Sequence, residues 1–343
     1  MLKFIQEFRS TDRFVNECVP KQMSEWYRGA LENISSGLSA PEISFRLGAQ
    51  APCLGWAFFG GYQVALSALL QGLGGANASK CSSQHLVSED FVNSLRTLRA
   101  LSYSEPGLKK PEQLKTELVD GRVSGHKSFV TGGDQAQQII LLAKMINGTD
   151  IAPDQVEREG RSDIVAVTLR PELQSGMLFT AMNPLPFAPE LLHSELRLDN
   201  VELTRSSQVH NDAVNRILKP FRWLEDVHVF ASVLGYLSAA SVAVDEKYLC
   251  AYLFHAFRGL ESAYLRVDMF AQSETSVQSS AGPDANEGVL ILAGLQFSLK
   301  KMTPEIDGMW AKVGDVALNR WRRDVPLMGI AQSVRDRRFA KVW

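Results

Sequence analysis

The residues whose types and spacing could do chemistry are concentrated in positions 102–131. A turn-rich opening, Ser104-Glu105-Pro106-Gly107, leads into a run of strand-forming residues, Gly125-His126-Lys127-Ser128-Phe129-Val130-Thr131. Phe129 and Thr131 are two apart, so on a pleated strand an aromatic ring and a hydroxyl project from one side. A flat, redox-active ring could use such a pair, the aromatic covering one face and the hydroxyl bonding to an edge. The same residues also read structurally, with Phe129 and Val130 as the two sides of a half-buried strand and Thr131 as a β-branched residue at home there.

Three stretches of different periodicity must position these side chains. Residues 1–101 read as helical, with helices expected at 4–9, 22–34, 62–70 and 88–101 and glycines punctuating them. Residues 102–207 change to short, turn-separated runs, the period-2 signature of an antiparallel sheet, with strands expected at 126–131, 138–145, 163–170, 177–181 and 196–203. Asp120-Gly121 is a turn signal that favours positive φ. Helical periodicity returns over 208–343, where VHVFASVLGYLSAASVAV is apolar almost all round and therefore buried between helices. Later helices are expected at 249–271, 287–301, 305–321 and 325–341, with a Ser/Gln/Gly/Pro-rich loop over 272–286.

Composition closes off several functions. The chain has 343 residues, 45% hydrophobic and 22% charged, enough to bury two or three layers of structure. A net charge of -2 gives no electrostatic footprint for nucleic acid, and the runs Arg322-Arg323 and Arg335-Asp336-Arg337-Arg338 read as a solvated helix face. Cys18, Cys53, Cys81 and Cys250 have no metal-ligand spacing and suggest no disulfide framework, which points to a reducing cytoplasm. The N-terminal residues lack the continuous apolar core of a signal peptide. No charge lies between Arg46 and Lys80, but Pro52, Gln63, Ser67, Gln71 and six glycines interrupt its middle, APCLGWAFFGGYQVALSALLQGLGG. A bilayer span needs ~20 predominantly apolar residues, so this segment reads as a buried helix pair and no membrane span is expected.

The two motifs resemble those of the acyl-CoA dehydrogenases. Ser104-Glu105-Pro106-Gly107 looks like the Thr-Glu-Pro segment of that family, and Gly125-x-Lys127-x-Phe129-Val130-Thr131 looks like its Gly-Thr-Lys-x-Trp-Ile-Thr strand. Their order and separation also match, and the resemblance covers roughly residues 48–338. A shortened, diverged member of the superfamily is implied. Its α+β fold would comprise an N-terminal helical domain (1–101), a middle antiparallel β-barrel-like domain (102–207) and a C-terminal four-helix bundle (208–343).

The resemblance further implies FAD as cofactor and α,β-dehydrogenation of an acyl-CoA or acyl-carrier thioester, by α-proton abstraction and hydride transfer to flavin N5. An electron-transfer acceptor protein and a homo-oligomer, dimer or tetramer, are the implied partners. By position, Phe129 takes the place of the aromatic residue that packs on the flavin and Thr131 that of the hydroxyl near N5. Ser104 takes the place of the threonine beside the pyrimidine end, with Tyr103 just before it. Where the family's Gly-Ser-Asp contacts the FAD pyrophosphate, this chain has Leu108-Lys109-Lys110-Pro111, and Lys109 offers a point charge instead.

Gln332 falls where many members carry the catalytic glutamate after Arg323-Asp324, and a neutral amide cannot abstract a proton. Members similar to isovaleryl-CoA dehydrogenase put the base in a Leu-Glu pair ten residues before a glycine, which nominates Glu225 of Leu224-Glu225, with Gly235. Near a helix start the dipole favours the ionised form of Glu225, whereas Trp223 and Asp226 raise its pKa. An ordinary first-turn acid fits the position as well, and Asp226 is the second candidate only for a helix rotated by one residue. Phe58, Phe59, Tyr62 and Tyr236 are candidates to line an acyl pocket. The arginine and the Gly-Gly loop that help hold the nucleotide end of FAD are absent from their usual places, with Arg258 and Arg266 as replacements. Two other functions stay open: a non-catalytic scaffold subunit with decayed FAD binding, and a flavin-dependent monooxygenase of the same fold.

Overall fold

The computed structural model describes residues 2–73, 86–146, 163–266, 283–330 and 332–342. The chain is an α+β protein in which helices precede and follow an eight-stranded sheet. It divides into two compact units. The first, helical, comprises Met1–Arg96, Leu185–Leu191 and Trp223–Trp343, and the second, built on the sheet, comprises Thr97–Pro184 and Leu192–Arg222.

The helical elements begin with α1 (Leu2–Gln6), α2 (Asp12–Val15), α3 (Met23–Leu31), α4 (Ala40–Gln50), α5 (Leu54–Leu73) and α6 (Glu89–Ser94). After the sheet come α7 (Lys219–Ala243), α8 (Lys247–Arg266), α9 (Pro283–Lys301), α10 (Thr303–Val313), α11 (Asp315–Asp324) and α12 (Gln332–Val342). Local chemistry sets many of the boundaries. Ser39 caps α4 by accepting the Glu42 N–H at 3.1 Å, with Pro41 in the first turn. Of the uncharged run, residues 47–50 end α4 and residues 54–73 form α5, whose side chains are buried through most of its length. The stretch Val214–Ala243 is apolar and long enough to cross a membrane by length and composition, yet 83% of its most apolar window is buried inside the protein.

Backbone contact holds the centre of this unit together. A Cβ on Gly48 of α4 would lie 1.8 Å from the Ser232 carbonyl oxygen of α7, and one on Gly235 would lie 1.9 Å from that of Phe45. Only glycine permits so close an approach, and the two substitutions are reciprocal across one α4–α7 contact. Gly235 therefore has a packing reason to follow Leu224-Glu225 at its fixed spacing.

Three expected helices are cut differently. The helix expected over 88–101 stops at Ser94, because Arg99–Ser102 is claimed by the sheet as a strand parallel to Gln138–Met145. The helix expected over 305–321 breaks at Gly314, whose φ of 138° ends α10 and whose backbone opens α11. Pro326 makes residues 325–329 a short 3-10 turn ahead of α12. The expected loop 272–286 overlaps the start of α9, and its residues 272–282 lie outside the described ones, as do Cys81 and the end of the helix expected over 249–271.

The sheet contains β1 (Arg99–Ser102), β2 (Glu117–Val119), β3 (Arg122–Thr131), β4 (Gln138–Met145), β5 (Ile164–Leu169), β6 (Met177–Ala181), β7 (His193–Glu202) and β8 (Gln208–His210). The order is β6-β7-β3-β2-β4-β5-β8, with β1 paired to β4. Pairings are antiparallel except β1–β4 and β2–β4, which are parallel. The sequence pattern carries no mark of those two short parallel ladders. The β2–β3 hairpin turns on Asp120 and Gly121, both at positive φ (47° and 71°), as their types require. The apolar core includes Leu118, Val130, Leu141, Val167, Leu196 and Val201.

Candidate functional site

The two motifs meet in the sheet unit through side chains that the motif reading assigned no role. Lys127 of β3 donates to Glu105 Oε1 at 2.7 Å and to the Leu142 carbonyl at 2.5 Å. Both members of the pair are buried, Lys127 completely. Glu105 also accepts the backbone N–H groups of Lys115 at 2.7 Å and Thr116 at 3.1 Å. The location explains the network. β4 pairs with β1 as far as Leu141 and with β2 from Lys144, so the Leu142 carbonyl falls between the two ladders and Lys127 satisfies it there. Burial pushes the Glu105 carboxyl up, but the bonds from Lys127, Thr116 and Lys115 outweigh that and hold its pKa below the usual carboxylate value. Burial lowers the Lys127 ammonium to about 8 against the pull of Glu105. Gly125 belongs to the same arrangement, since a Cβ there would sit 2.7 Å from the Thr116 Cα.

A register shift between Lys127 and Val130 then breaks the period-2 alternation of β3. Lys127 and Val130 are both wholly buried, and Phe129 is left half-buried between them and Thr131. The Ser128 N–H donates to the Ser104 carbonyl at 2.9 Å, and the Ser102 hydroxyl to the Phe129 carbonyl at 3.4 Å, so the turn lies along the strand. Ser104 therefore lies beside the stretch of β3 that carries Phe129 and Thr131. Tyr103 is exposed beside them. Lys109 is exposed on the turn, where its N–H bonds to the Gln113 side chain at 3.1 Å.

The strand after the turn also brings in His193. It is the direct cross-strand partner of Thr131, and its ring lies 4.2 Å from that of Phe129 at an angle of 37°. His193 is only 9% exposed, and neither ring nitrogen has a hydrogen-bond partner among the described residues. Burial lowers its pKa to about 4, so the imidazole is neutral near pH 7. The expected strand 196–203 began three residues too late to include it.

The remaining nominated residues lie in the helical unit. Glu225 is half-buried in the second turn of α7, between buried Leu224 and Asp226. Asp226 forms ion pairs with Arg335 at 3.1 Å and Arg338 at 2.5 Å. Gln332 opens α12 and donates to Asp336 at 2.7 Å. Arg258 pairs with Glu261 at 2.5 Å and Arg266 with Glu287 at 2.7 Å. Phe59 packs edge-on to Tyr27, and Tyr236 packs against Phe14 and Trp310. These two side chains are core, while half-buried Phe58 stacks on Tyr62. Arg323 and Asp324 form a clamp, with Arg323 bonding to Asp324 at 2.6 Å and Glu190 at 2.9 Å, and Asp324 accepting the Ala188 N–H at 2.7 Å. A cavity of about 1020 Å³ also lies in this unit, lined by Phe230, Phe297, Trp321 and Phe339 with Asp226 and Arg335.

No protein-family model matches the sequence, and no curated protein matches it either. Solved structures do match, over nearly the whole chain. TdsC from Paenibacillus sp. A11-2, a dibenzothiophene monooxygenase, in its FMN-bound form superposes with a TM-score of 0.66 at 14% identity, covering 98% of this chain and 94% of that one. Butyryl-CoA dehydrogenase from Megasphaera elsdenii gives 0.61 at 15% identity, covering 99% and 96%. The chain has the acyl-CoA dehydrogenase fold. PigA, solved as its FAD complex, shares that fold with a TM-score of 0.59 at 14% identity, covering 97% and 95%.

Within the acyl-CoA dehydrogenase fold, the ring end of a flavin can be tested against the side chains present. A half-buried aromatic ring, an adjacent hydroxyl and a buried imidazole with both nitrogens unpartnered among the described residues form one surface, and they suit a flat ligand with polar edges. The nucleotide end has less to hold it. Arg258 and Arg266 are committed to glutamates, and on the turn the exposed Lys109 and Lys110 offer charge.

Proposed function

We propose that this chain is an FAD-dependent oxidoreductase that dehydrogenates an acyl thioester, carried by coenzyme A or an acyl-carrier protein, at its α,β bond. The bound flavin would supply the acceptor for the β-hydride. The observation that supports the reading is the Phe129–Thr131 surface of β3, held in place by the Glu105–Lys127 clip. Phe129 covers the ring, Thr131 and Ser104 bond to its edges, Tyr103 flanks them, and Lys109 offers a charge to the pyrophosphate. Glu225 is the α-proton base. Electrons then leave to an acceptor protein, and the enzyme works as a cytoplasmic homo-oligomer.

The first test is FAD uptake by the purified full-length protein, read as flavin absorption bands. Glu225→Gln should keep those bands and lower kcat roughly 10²–10⁴-fold, the usual contribution of a general base. A protein that takes up no FAD would overturn the reading. The ion pairs of Arg258 and Arg266 support a second one, a scaffold subunit of the same fold with decayed nucleotide binding, and a colourless protein that copurifies with a flavoprotein would support it. Gln332 in place of a glutamate is compatible with oxygen chemistry. Oxygen consumption by the FAD-loaded protein, without anaerobic conversion of a thioester, would move the assignment to a monooxygenase.

A further inference from the structure

We infer that His193 is a binding residue for the polar edge of the isoalloxazine ring, giving or accepting one hydrogen bond at a flavin that lies on Phe129. The inference rests on the flavin reading above and adds a residue to it. Three observations within the sheet unit carry it: the ring contact with Phe129, the cross-strand pairing with Thr131, and the two buried nitrogens with no partner among the described residues.

A buried polar atom without a partner destabilises the folded state, and such atoms are uncommon enough in native proteins to call for an account. Among the described residues, buried His228 has Ser44 Oγ at 2.9 Å from Nδ1 and half-buried His126 has Glu195 at 3.0 Å, while His228 and His210 each leave only Nε2 unpartnered and His193 leaves both nitrogens. His193 differs in standing next to a half-buried aromatic ring instead of inside a finished core. A neutral imidazole has one donor and one acceptor nitrogen. The edge of an isoalloxazine offers carbonyl acceptors, an N–H donor and N5, so either nitrogen has a counterpart there. The backbone holds the imidazole in place, because β7 starts at His193 and the Gly132 N–H donates to the Leu192 carbonyl at 2.8 Å.

The test compares His193→Leu and His193→Gln with the unmodified full-length protein, titrating each with FAD and recording the bound spectrum and midpoint potential. Leucine should weaken FAD binding roughly tenfold, the loss of one net hydrogen bond, and shift the visible bands and the potential. Glutamine should recover binding to within a few-fold. The leucine variant without FAD should melt at or above the temperature of the unmodified protein, since it loses no partner, which separates a ligand contact from a structural role. Leucine binding FAD with unchanged affinity, spectrum and potential would overturn the inference and leave the flavin reading standing. Failure of the unmodified protein to take up FAD would overturn both.

Discussion

The two halves of β3 differ in how their polar atoms are satisfied. Around Lys127 the Glu105 carboxylate has two backbone donors and a lysine, and the lysine has a carboxylate and a stranded carbonyl. Two residues farther on, Phe129 is half-buried and the imidazole beside it has no partner among the described residues. One half is a structural clip and the other has the character of a ligand surface. One short stretch therefore spans both, with Gly125, Lys127 and Glu105 holding the fold while Phe129 and Thr131 lie beside the unpartnered imidazole. Proteins tend to place such unsatisfied or strained features where function needs them and to compensate elsewhere.

Substitutions can break this contrast. Lys127→Met should have the largest effect, lowering stability in urea by roughly 3–5 kcal/mol, because it leaves a buried carboxylate without its counter-charge. Adding Glu105→Gln should recover at least half of that loss, since the amide oxygen still accepts from Lys115 and Thr116. A double variant no more stable than the single would mean that the charges are not what the clip depends on.

The pH dependence sharpens the other half. His193 is neutral in the folded chain down to about pH 4, whereas its unfolded form takes up a proton below about 6.5. The unfolded state binds more protons in that window, so stability falls as the pH drops from 6.5 toward 4 and this contribution levels off below. His193→Leu should flatten the urea midpoint across that range. Part of the slope should remain, because His228, lowered to about 3 by burial, titrates in the same direction.

The smallest expected effect belongs to Thr131→Val. It keeps the shape and the strand preference, so folding should change by less than ~1 kcal/mol, while FAD affinity should weaken by about threefold to tenfold. Equal FAD affinity would remove the hydroxyl from the ligand surface and leave Phe129 and His193 to define it.

Much of the fold was legible because local rules set it. The Asp120-Gly121 turn, strand 138–145 and the buried helix of the uncharged run follow from turn chemistry, alternation and uniform apolarity. The misses have specific causes. β1 was read as helix because its strand state depends on an edge of β4 lying 39 residues away, as Arg99 pairs with Gln138. The break at Gly314 and the turn at Pro326 were overridden by a helical pattern on either side. In the candidate site, the pairing of Phe129 with Thr131 came from their two-residue spacing and Ser104 from the resemblance, whereas His193 was hidden by a strand boundary placed three residues late.

Sequence by itself determined the helices-strands-helices order of the three stretches, the α+β class and the short stretch proposed to carry the chemistry, because those depend on periodicity and on residues close in the chain. Tertiary structure alone decided that Glu105 and Lys127 neutralise each other, that Asp226 is held by two arginines from the last helix, and that His193 stands opposite Thr131. Each of these joins residues 22 to 112 positions apart, and no local pattern records which buried polar atom will find a partner across such a span.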